Sequence, residues 1–255
     1  MTLGGNGLAS MSSDTSVFLT AKWHQLAMLN YEIDPKVLQP LVPAGTELDE
    51  WRGRMFASVV GFLFSDTRVL GMSVPYHRNF EEVNLRFYVR RKSTEGWRRA
   101  VVFIKEIVPR PAIAWMARAL YGENYVALPM RHNIGFENTN SARSRSVSYS
   151  WWFRGMESRM EVTVGGGPKE VVEGSTEEFI TEHYWGYARQ RNGCTTEYYV
   201  KHPRWRVSEA QAARLDCDVA GLYGDQFVEF LQSPASAFLA DGSEVTVFKG
   251  APLSS

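Results

Sequence analysis

FEEVNLRFYVRRKSTEGWRRAVVFIKEIVPR, residues 80–110, is the stretch that decides the fold of this chain. Two runs rich in Val, Phe and Ile flank a charged turn at residues 92–96. Such residues favour strands, and a polar turn between two such runs predicts a long antiparallel hairpin. We therefore expect the rest of the chain to be built around this hairpin.

The first run of the hairpin alternates between polar and apolar side chains. Because successive side chains of a strand point to opposite faces, the apolar ones share one face. The opposite face carries Glu82, Asn84, Arg86 and Tyr88. On an open sheet this row would be a solvated face, whereas inside a barrel it would be a polar patch in a cavity.

Shorter elements surround the hairpin on both sides. Asp34-Pro35 ends a strand and opens a short helix, and Gly61, within a β-prone run at residues 54–69, predicts a bulge or a close approach. Pro111 opens a second helix, and residues 133–164 have the pattern of a β-meander. Many short strands with few helices predict an α+β domain built on a curved antiparallel sheet or β-barrel.

A third helix is predicted by the spacing of Ser175 and Glu178, which is that of a capping box. The apolar pattern extends this helix through Tyr187, with Phe179 and His183 on its inner stripe. We interpret a histidine in this position as a core residue whose hydrogen bonds are satisfied.

The domain boundaries follow from composition. Residues 1–17 are rich in Gly and Ser, lack the features of a signal peptide, and are expected to form a disordered leader. Residues 18–250 contain no linker, repeat or low-complexity tract and are expected to form a single domain, followed by a tail at residues 251–255. Within the domain, residues 205–222 are predicted to be mostly extended and residues 243–249 to form the last strand.

Composition excludes several classes of function. The 255 residues include 28 Lys and Arg and 28 Asp and Glu, so the formal net charge is zero. The overall charge therefore does not favour binding to nucleic acid or to an anionic membrane. Cys194 and Cys217 form no CxxC motif or Cys/His cluster, and we predict no metal and no other cofactor. We expect a cytoplasmic protein with reduced thiols, a disulfide being the alternative, whose partner is a small molecule. Formation of a homo-oligomer is a further possibility that the composition leaves open.

Several motifs resemble those of a known family. The run Asn30-Tyr31-Glu32-Ile33-Asp34-Pro35 resembles the opening motif of acetoacetate decarboxylase, and Phe80-Glu81-Glu82-Val83 resembles its Tyr-Asn-Glu-Val strand. From Phe18 to Lys249 the chain is more closely similar to the YqjF-type family of uncharacterised proteins in the acetoacetate decarboxylase-like superfamily. The resemblance implies a β-barrel core that encloses a pocket, but it implies no particular activity.

The same resemblance argues against decarboxylase activity. Acetoacetate decarboxylase forms a Schiff base between a lysine and its β-keto acid substrate. Its Pro-Lys-Lys positions correspond here to Pro129-Met130-Arg131, so that methionine replaces the nucleophile, while Glu82 retains the acid. Lys105, in the second run of the hairpin, is the remaining Schiff-base alternative.

The candidate catalytic residues are Glu82, Arg86 and Glu106, the last of which can meet the polar row across the hairpin. In this interpretation Arg86 binds a carboxylate, and Glu82 or Glu106 acts as acid or base. The pocket is further expected to include Asn84, Tyr88, Lys105, Arg131 and His132. His132 is either a proton shuttle or a solvated surface residue. In the alternative interpretation these residues have no functional role, and their charges form an interior network of ion pairs that stabilises the barrel.

Two functions therefore stay open. One is an enzyme that acts on a small organic acid without a Schiff-base lysine. The other is a non-catalytic barrel that holds a small ligand. Convergence of Glu82, Arg86 and Glu106 in a polar cavity would favour the enzyme, whereas a mostly apolar cavity lined by aromatic residues would favour binding.

Overall fold

The computed structural model describes residues 16–73, 76–113, 124–139 and 142–253. The strands in these residues, numbered in chain order, are β1 (Val17–Glu32), β2 (Glu47–Leu48), β3 (Phe56–Val69), β4 (Met72–Ser73), β5 (Phe80–Ser93), β6 (Gly96–Val108), β7 (Tyr125–Ala127), β8 (Met130–Thr139), β9 (Ala142–Phe153), β10 (Met156–Gly165), β11 (Lys169–Glu170), β12 (Trp185–Arg189), β13 (Thr195–Lys201), β14 (Arg206–Asp216), β15 (Ser236–Phe248) and β16 (Ala251–Pro252). The helices are α1 (Pro35–Leu38), α2 (Thr176–Thr181) and α3 (Val219–Tyr223), with 3₁₀ turns at Gln39–Leu41, Asp225–Phe227 and Phe230–Gln232.

Seven of the described strands close into a barrel. The order around the wall is β13, β12, β6, β5, β3, β1 and β15, and β15 pairs back onto β13. Neighbouring strands of the wall are antiparallel except for β12 and β6, which run parallel. The predicted α+β fold, with a barrel core and a few short helices, is thereby confirmed.

A second sheet packs on one side of the barrel. It contains β14, β10, β9 and β8, and β14 joins it to the barrel by pairing with both β10 and β15. A Cβ atom at Gly61 of β3 would lie 2.5 Å from Cδ2 of Tyr149 and 2.7 Å from Sδ of Met160, both on the second sheet. Gly61 is therefore the point of close approach that its position in the sequence predicts.

Both faces of β5 are buried, each in a different core. Val83 and Leu85 point outward and pack between the barrel and the second sheet, together with Trp151. Glu82 and Asn84, which are 3% and 1% exposed, point into the barrel. The polar row is therefore not a solvated face.

The helix predicted from Ser175 through Tyr187 is much shorter in the structure. The cap is present, since Oγ of Ser175 accepts a hydrogen bond from the backbone N–H of Glu178 at 3.1 Å. However, α2 ends at Thr181, and Trp185 begins β12. The prediction is wrong because the aromatic residues at this point favour a strand as well as a helix stripe, and pairing with β6 and β13 satisfies the backbone of a strand here.

Two other predicted elements differ in extent. Residues 111–113 are helical, and the rest of the helix predicted after Pro111 lies outside the described residues. The extended segment predicted to end at residue 222 ends at Asp216, because Asp218 caps α3 by accepting a hydrogen bond from the N–H of Gly221 at 2.8 Å.

The folded part of the chain differs at both ends from the predicted domain boundaries. Of the expected leader, residues 1–15 lie outside the described residues and Val17 begins β1. Of the expected tail, Ala251–Pro252 pairs with β13 and Leu253 packs against the core, so that the folded part extends past residue 250. The described part of the chain contains no helix that is long and apolar enough to cross a membrane.

Candidate functional site

The barrel encloses a cavity of about 140 Å³. Much of its wall is aromatic and includes Trp23, Phe62, Phe64, Phe80 and Trp205. These rings pack on one another, with centroids 5.1 Å apart for Trp23 and Phe62 and 4.4 Å apart for Phe64 and Phe80. Because a cavity of about 150 Å³ holds a benzene molecule, this one fits a ligand of about six non-hydrogen atoms.

One side of the cavity is polar and is built by the β5–β6 hairpin. Glu82, Asn84 and Arg86 line it from β5, and Glu106 lines it from β6. Asn84 and Glu106 are direct cross-strand partners. The structure thus brings the three candidate catalytic residues to one wall, while their roles stay predictions.

A β-bulge at Ile104 decides which side chains of β6 reach the cavity. The register passes from the pair Leu85–Lys105 directly to the pair Arg86–Phe103, so that Ile104 is the extra residue. Phe103 and Glu106 consequently both line the cavity, although they are three residues apart and a regular strand would place them on opposite faces.

Glu82 is almost completely buried. Its Oε1 accepts a hydrogen bond from Nδ2 of Asn84 at 3.0 Å, and its Oε2 accepts one from the hydroxyl of Tyr125 at 3.4 Å. Burial raises the pKa of Glu82 to about 7, because the loss of hydration outweighs the opposing effects of Asn84, Tyr125 and Arg86. Near neutral pH this carboxyl group can therefore donate or accept a proton.

Arg86 is the cation of the polar wall. It is partly buried, and its Cζ lies 5.8 Å from the ring centroid of Tyr88. Among the described residues, its Nε and Oδ1 of Asn84 are buried without a hydrogen-bond partner. A buried polar group without a hydrogen bond lowers the stability of the folded state by about 1–3 kcal/mol. A ligand or a water molecule in the cavity that binds to these two atoms would remove this cost. A network of charges that satisfies itself does not account for them.

Further polar groups reach the cavity from α2, from the segment between α2 and β12, and from the residue that follows β13. Thr181, His183 and His202 line it. Burial lowers the pKa of each histidine to about 4, so that both rings are neutral at pH 7. The ring of His202 stacks on Trp205 with centroids 4.2 Å apart. Within the described ranges Nε2 of His183 lies 3.5 Å from Oδ2 of Asp49 and Nδ1 has no hydrogen-bond partner, so the ring is only partly satisfied, in contrast to the expected core histidine.

Two residues expected in the pocket lie beside it. Lys105 pairs with Leu85, which faces the outer core, so the lysine leaves β6 on the outer side and does not line the cavity. Tyr88 is buried inside the barrel, but its hydroxyl is 2.7 Å from Oγ of Ser58 and its ring packs on that of His183 with centroids 4.6 Å apart. Tyr88 therefore supports the wall, and Lys105 brings no amine into the cavity.

Arg131 and His132 lie outside the barrel on β8 of the second sheet. Arg131 is exposed and forms an ion pair with Glu157 at 2.9 Å, and Nδ1 of His132 is 2.6 Å from Oε1 of Glu81. Met130, where the resemblance places the missing lysine, packs between the barrel and the second sheet. Arg131 and His132 therefore do not line the barrel cavity, and any part they take in a site stays a prediction.

Sequence reasoning missed Tyr125 and His183. Tyr125 belongs to β7, a short strand that pairs in parallel with β6, and local patterns do not reveal parallel pairing. His183 reaches the cavity because the segment after α2 turns into β12. The signal that could have found it is the aromatic run at residues 184–187, which is typical of a strand.

Metal ligands are not grouped in the described ranges, where no three His, Cys, Asp or Glu side chains could hold an ion. Cys194 is exposed and Cys217 is partly buried, and both are free.

Comparison with known proteins identifies the family. The family DUF2071, described as an uncharacterized conserved protein, matches residues 20–244. The chain belongs to this family. The DUF2071 chain is also similar to the "Uncharacterized protein YqjF" of Bacillus subtilis (strain 168), with 24% identity over 191 residues, or 74% of this chain and 75% of that protein. The predicted relation to YqjF is thereby confirmed.

Solved structures similar to this DUF2071 protein share its fold. The enduracididine biosynthesis enzyme MppR with HEPES bound has a TM-score of 0.70 at 13% identity, covering 100% of this chain and 99% of that one. Acetoacetate decarboxylase from Legionella pneumophila has a TM-score of 0.62 at 13% identity, covering 99% and 98%. MppR has also been solved with pyruvate and with the condensation product of pyruvate and imidazole 4-carboxaldehyde. At such identity the likeness establishes the fold alone, which is acetoacetate decarboxylase-like.

Proposed function

We propose that this protein binds a small organic acid in its barrel cavity and transforms it without a Schiff-base lysine. Arg86 binds the carboxylate, and Glu82 or Glu106 acts as acid or base. The observation that carries the proposal is the buried Nε of Arg86, which has no hydrogen-bond partner among the described residues and belongs to a side chain that lines the cavity.

The size and polarity of the cavity fit a short organic acid, and a 2-oxo acid is the class proposed here. A cavity of about 140 Å³ fits a molecule of about six non-hydrogen atoms, and pyruvate has three carbons and three oxygens. Its carboxylate would lie on the polar wall and its methyl group against the aromatic wall. MppR, which shares the fold, has been solved with pyruvate, and this supports the same class of ligand here.

The absence of a Schiff base is part of the proposal. What supports it is that the described residues lining the cavity include no lysine. We expect no mass adduct when the protein is incubated with pyruvate or acetoacetate and reduced with borohydride. An adduct that maps to Lys105 would contradict this part, and a genuine acetoacetate decarboxylase serves as the positive control.

The main experiment is calorimetric titration with pyruvate and with its uncharged methyl ester. We expect pyruvate to bind more tightly, and Arg86→Met to weaken pyruvate binding about tenfold to a hundredfold, since a hydrogen bond to a charged group contributes about 1.5–3 kcal/mol. Arg78→Met is the matched control, because Arg78 is exposed and pairs with Asp66 at 3.0 Å, away from the cavity. Absence of binding, or equal binding by Arg86→Met, would overturn the proposal.

A second candidate function is non-catalytic binding of a small ligand, which the aromatic wall favours. In that case the ester or benzene would bind at least as tightly as pyruvate, and Arg86→Met would have no effect on their affinity. A cytoplasmic location and a homo-oligomeric state stay predictions.

A further inference from the structure

His183 lines the cavity and has an Nδ1 without a hydrogen-bond partner among the described residues. The residue is only 7% exposed, and its ring packs on Tyr88 and edge-on against Phe179, with a centroid distance of 5.4 Å to the latter. Nδ1 has no hydrogen-bond partner among the described residues, whereas Nε2 lies 3.5 Å from Oδ2 of Asp49. Because an unpaired buried nitrogen is costly, this arrangement favours a role of the ring toward a ligand.

The carboxylate of Asp49 orients this ring. Its Oδ2 is 3.5 Å from Nε2 of His183, while Nε of Arg99 donates to the same oxygen at 2.7 Å and the N–H of Glu50 donates to Oδ1 at 3.0 Å. Although burial opposes its ionisation, His183 and Arg99 hold the pKa of Asp49 below its ordinary value. A carboxylate only accepts hydrogen bonds, so it favours the tautomer with the proton on Nε2 and the lone pair on Nδ1.

Burial moves the proton affinities of His183 and Glu82 in opposite directions. It lowers the pKa of His183 to about 4 and raises the pKa of Glu82 to about 7. Between these pH values His183 can accept a proton and Glu82 can donate one. Arg86 interacts electrostatically with both groups, so that an acid and a base lie around the same cation.

We propose that His183 removes the proton from the carbon next to the carbonyl group of a 2-oxo acid bound in this cavity, with Asp49 as the positioning residue. The inference rests on the proposed function, in which Arg86 holds the carboxylate. Glu82 donates to the carbonyl oxygen, where negative charge develops. The substrate class is thereby narrowed to 2-oxo acids that carry a hydrogen on the carbon beside the carbonyl.

The step balances without a further reactant. In pyruvate a C–H bond of the methyl group breaks, and its proton moves to Nδ1 of His183. The electron pair forms a carbon–carbon double bond, and the carbonyl oxygen takes the proton of Glu82 to give the enol. In the reverse step Glu82 regains its proton and His183 returns one to carbon. In D₂O the returned nucleus is a deuteron, so that the methyl hydrogens exchange.

The test is the loss of the methyl signal of pyruvate in D₂O, followed by proton NMR. We expect exchange above the buffer rate with the wild type, a loss of about a hundredfold or more in His183→Gln, and a loss of at least about tenfold in Asp49→Asn. His24→Gln is the matched control, because His24 does not line the cavity and its Nε2 is 3.1 Å from Oγ of Ser65. Calorimetric binding of pyruvate by each variant shows that the cavity is intact.

The pH dependence separates a positioning role from a structural one. The groups that face His183 are Asp49, Arg99, Arg86, Tyr88 and His202, and those that face Glu82 are Arg86, Tyr125 and Glu106. We expect the exchange rate to fall below about pH 4, where His183 is protonated, and above about pH 7, where Glu82 ionises. Because Asp49 raises the pKa of His183, Asp49→Asn moves the acid limb to lower pH.

The outcomes of the two proposals are distinct. If pyruvate and other 2-oxo acids do not bind, the proposed function fails. If pyruvate binds but the wild type does not exchange its methyl hydrogens, this inference fails and the proposed function stands. If a His183→Gln or Asp49→Asn variant binds pyruvate and exchanges its methyl hydrogens at the full wild-type rate, the inference about His183 and Asp49 fails as well.

Discussion

We expect Glu82→Gln to stabilise the protein at alkaline pH and to leave its stability nearly unchanged at pH 4. Glutamine has the size of glutamate, and its Oε1 can accept the hydrogen bond that Nδ2 of Asn84 now donates at 3.0 Å. The substitution therefore removes the ionisable group with little change in packing. The wild-type side chain is 3% exposed, so that its charged form is denied hydration in the folded state.

The magnitude follows from the pKa of Glu82, which burial raises from an ordinary 4.5 to about 7. Between these values the folded state binds more protons than the unfolded state, so stability falls as the pH rises through this window. At 1.36 kcal/mol per pKa unit, the charged form of Glu82 destabilises the wild type by about 3 kcal/mol at pH 8 and by less than about 1 kcal/mol at pH 5. Glutamine cannot ionise, so the Glu82→Gln variant does not lose this free energy of unfolding as the pH rises.

The assay is urea unfolding of the wild type and Glu82→Gln at intervals between pH 4 and pH 8. The difference in the free energy of unfolding should grow across this range, with most of the change between pH 5 and pH 7. Glu244→Gln is the control, because the Glu244 side chain is 84% exposed, and its difference should stay within about 0.5 kcal/mol. A constant difference for Glu82→Gln, or a loss of stability that grows with pH, would refute the reasoning.

Two further predictions concern packing and capping. Gly61→Ala is expected to destabilise the protein by about 1–3 kcal/mol in urea, because its Cβ would lie 2.5 Å from the buried ring of Tyr149. Gly135→Ala is the control, since a Cβ there meets nothing within 4 Å, and an equal loss in both variants would contradict the explanation. Ser175→Ala is expected to cost about 1 kcal/mol by removing the hydrogen-bond acceptor of the Glu178 N–H, and an unchanged urea midpoint would show that this cap contributes nothing.

The hairpin and its polar row could be predicted because they depend on local patterns. Side-chain alternation places Glu82, Asn84 and Arg86 on one face of β5 in any regular strand, whatever the rest of the chain does. Gly61 could be recognised for a similar reason, since a glycine within a β-prone run indicates close approach of other atoms. The relation to YqjF also rests on the sequence alone.

The rest of the candidate site could not be predicted, because it depends on strands that are distant in sequence. The bulge at Ile104 turns Glu106 toward the cavity and Lys105 away from it, and no local signal marks its position. The segment after α2 satisfies both a helical and an extended pattern, and only pairing with β6 and β13 decides that it forms β12 and brings His183 to the cavity. Arg131 lies outside the barrel because β8 pairs with β9 in the second sheet.

The sequence by itself determined the family, the β-rich fold and one polar wall, since these follow from motifs and from the two-residue period of a strand. The tertiary structure alone decided that this wall is buried, that Nε of Arg86 has no hydrogen-bond partner among the described residues, and that His183 and His202 line the same cavity. The physical reason is that burial and proton affinity depend on closure of the barrel, which removes water from Glu82 and His183 together.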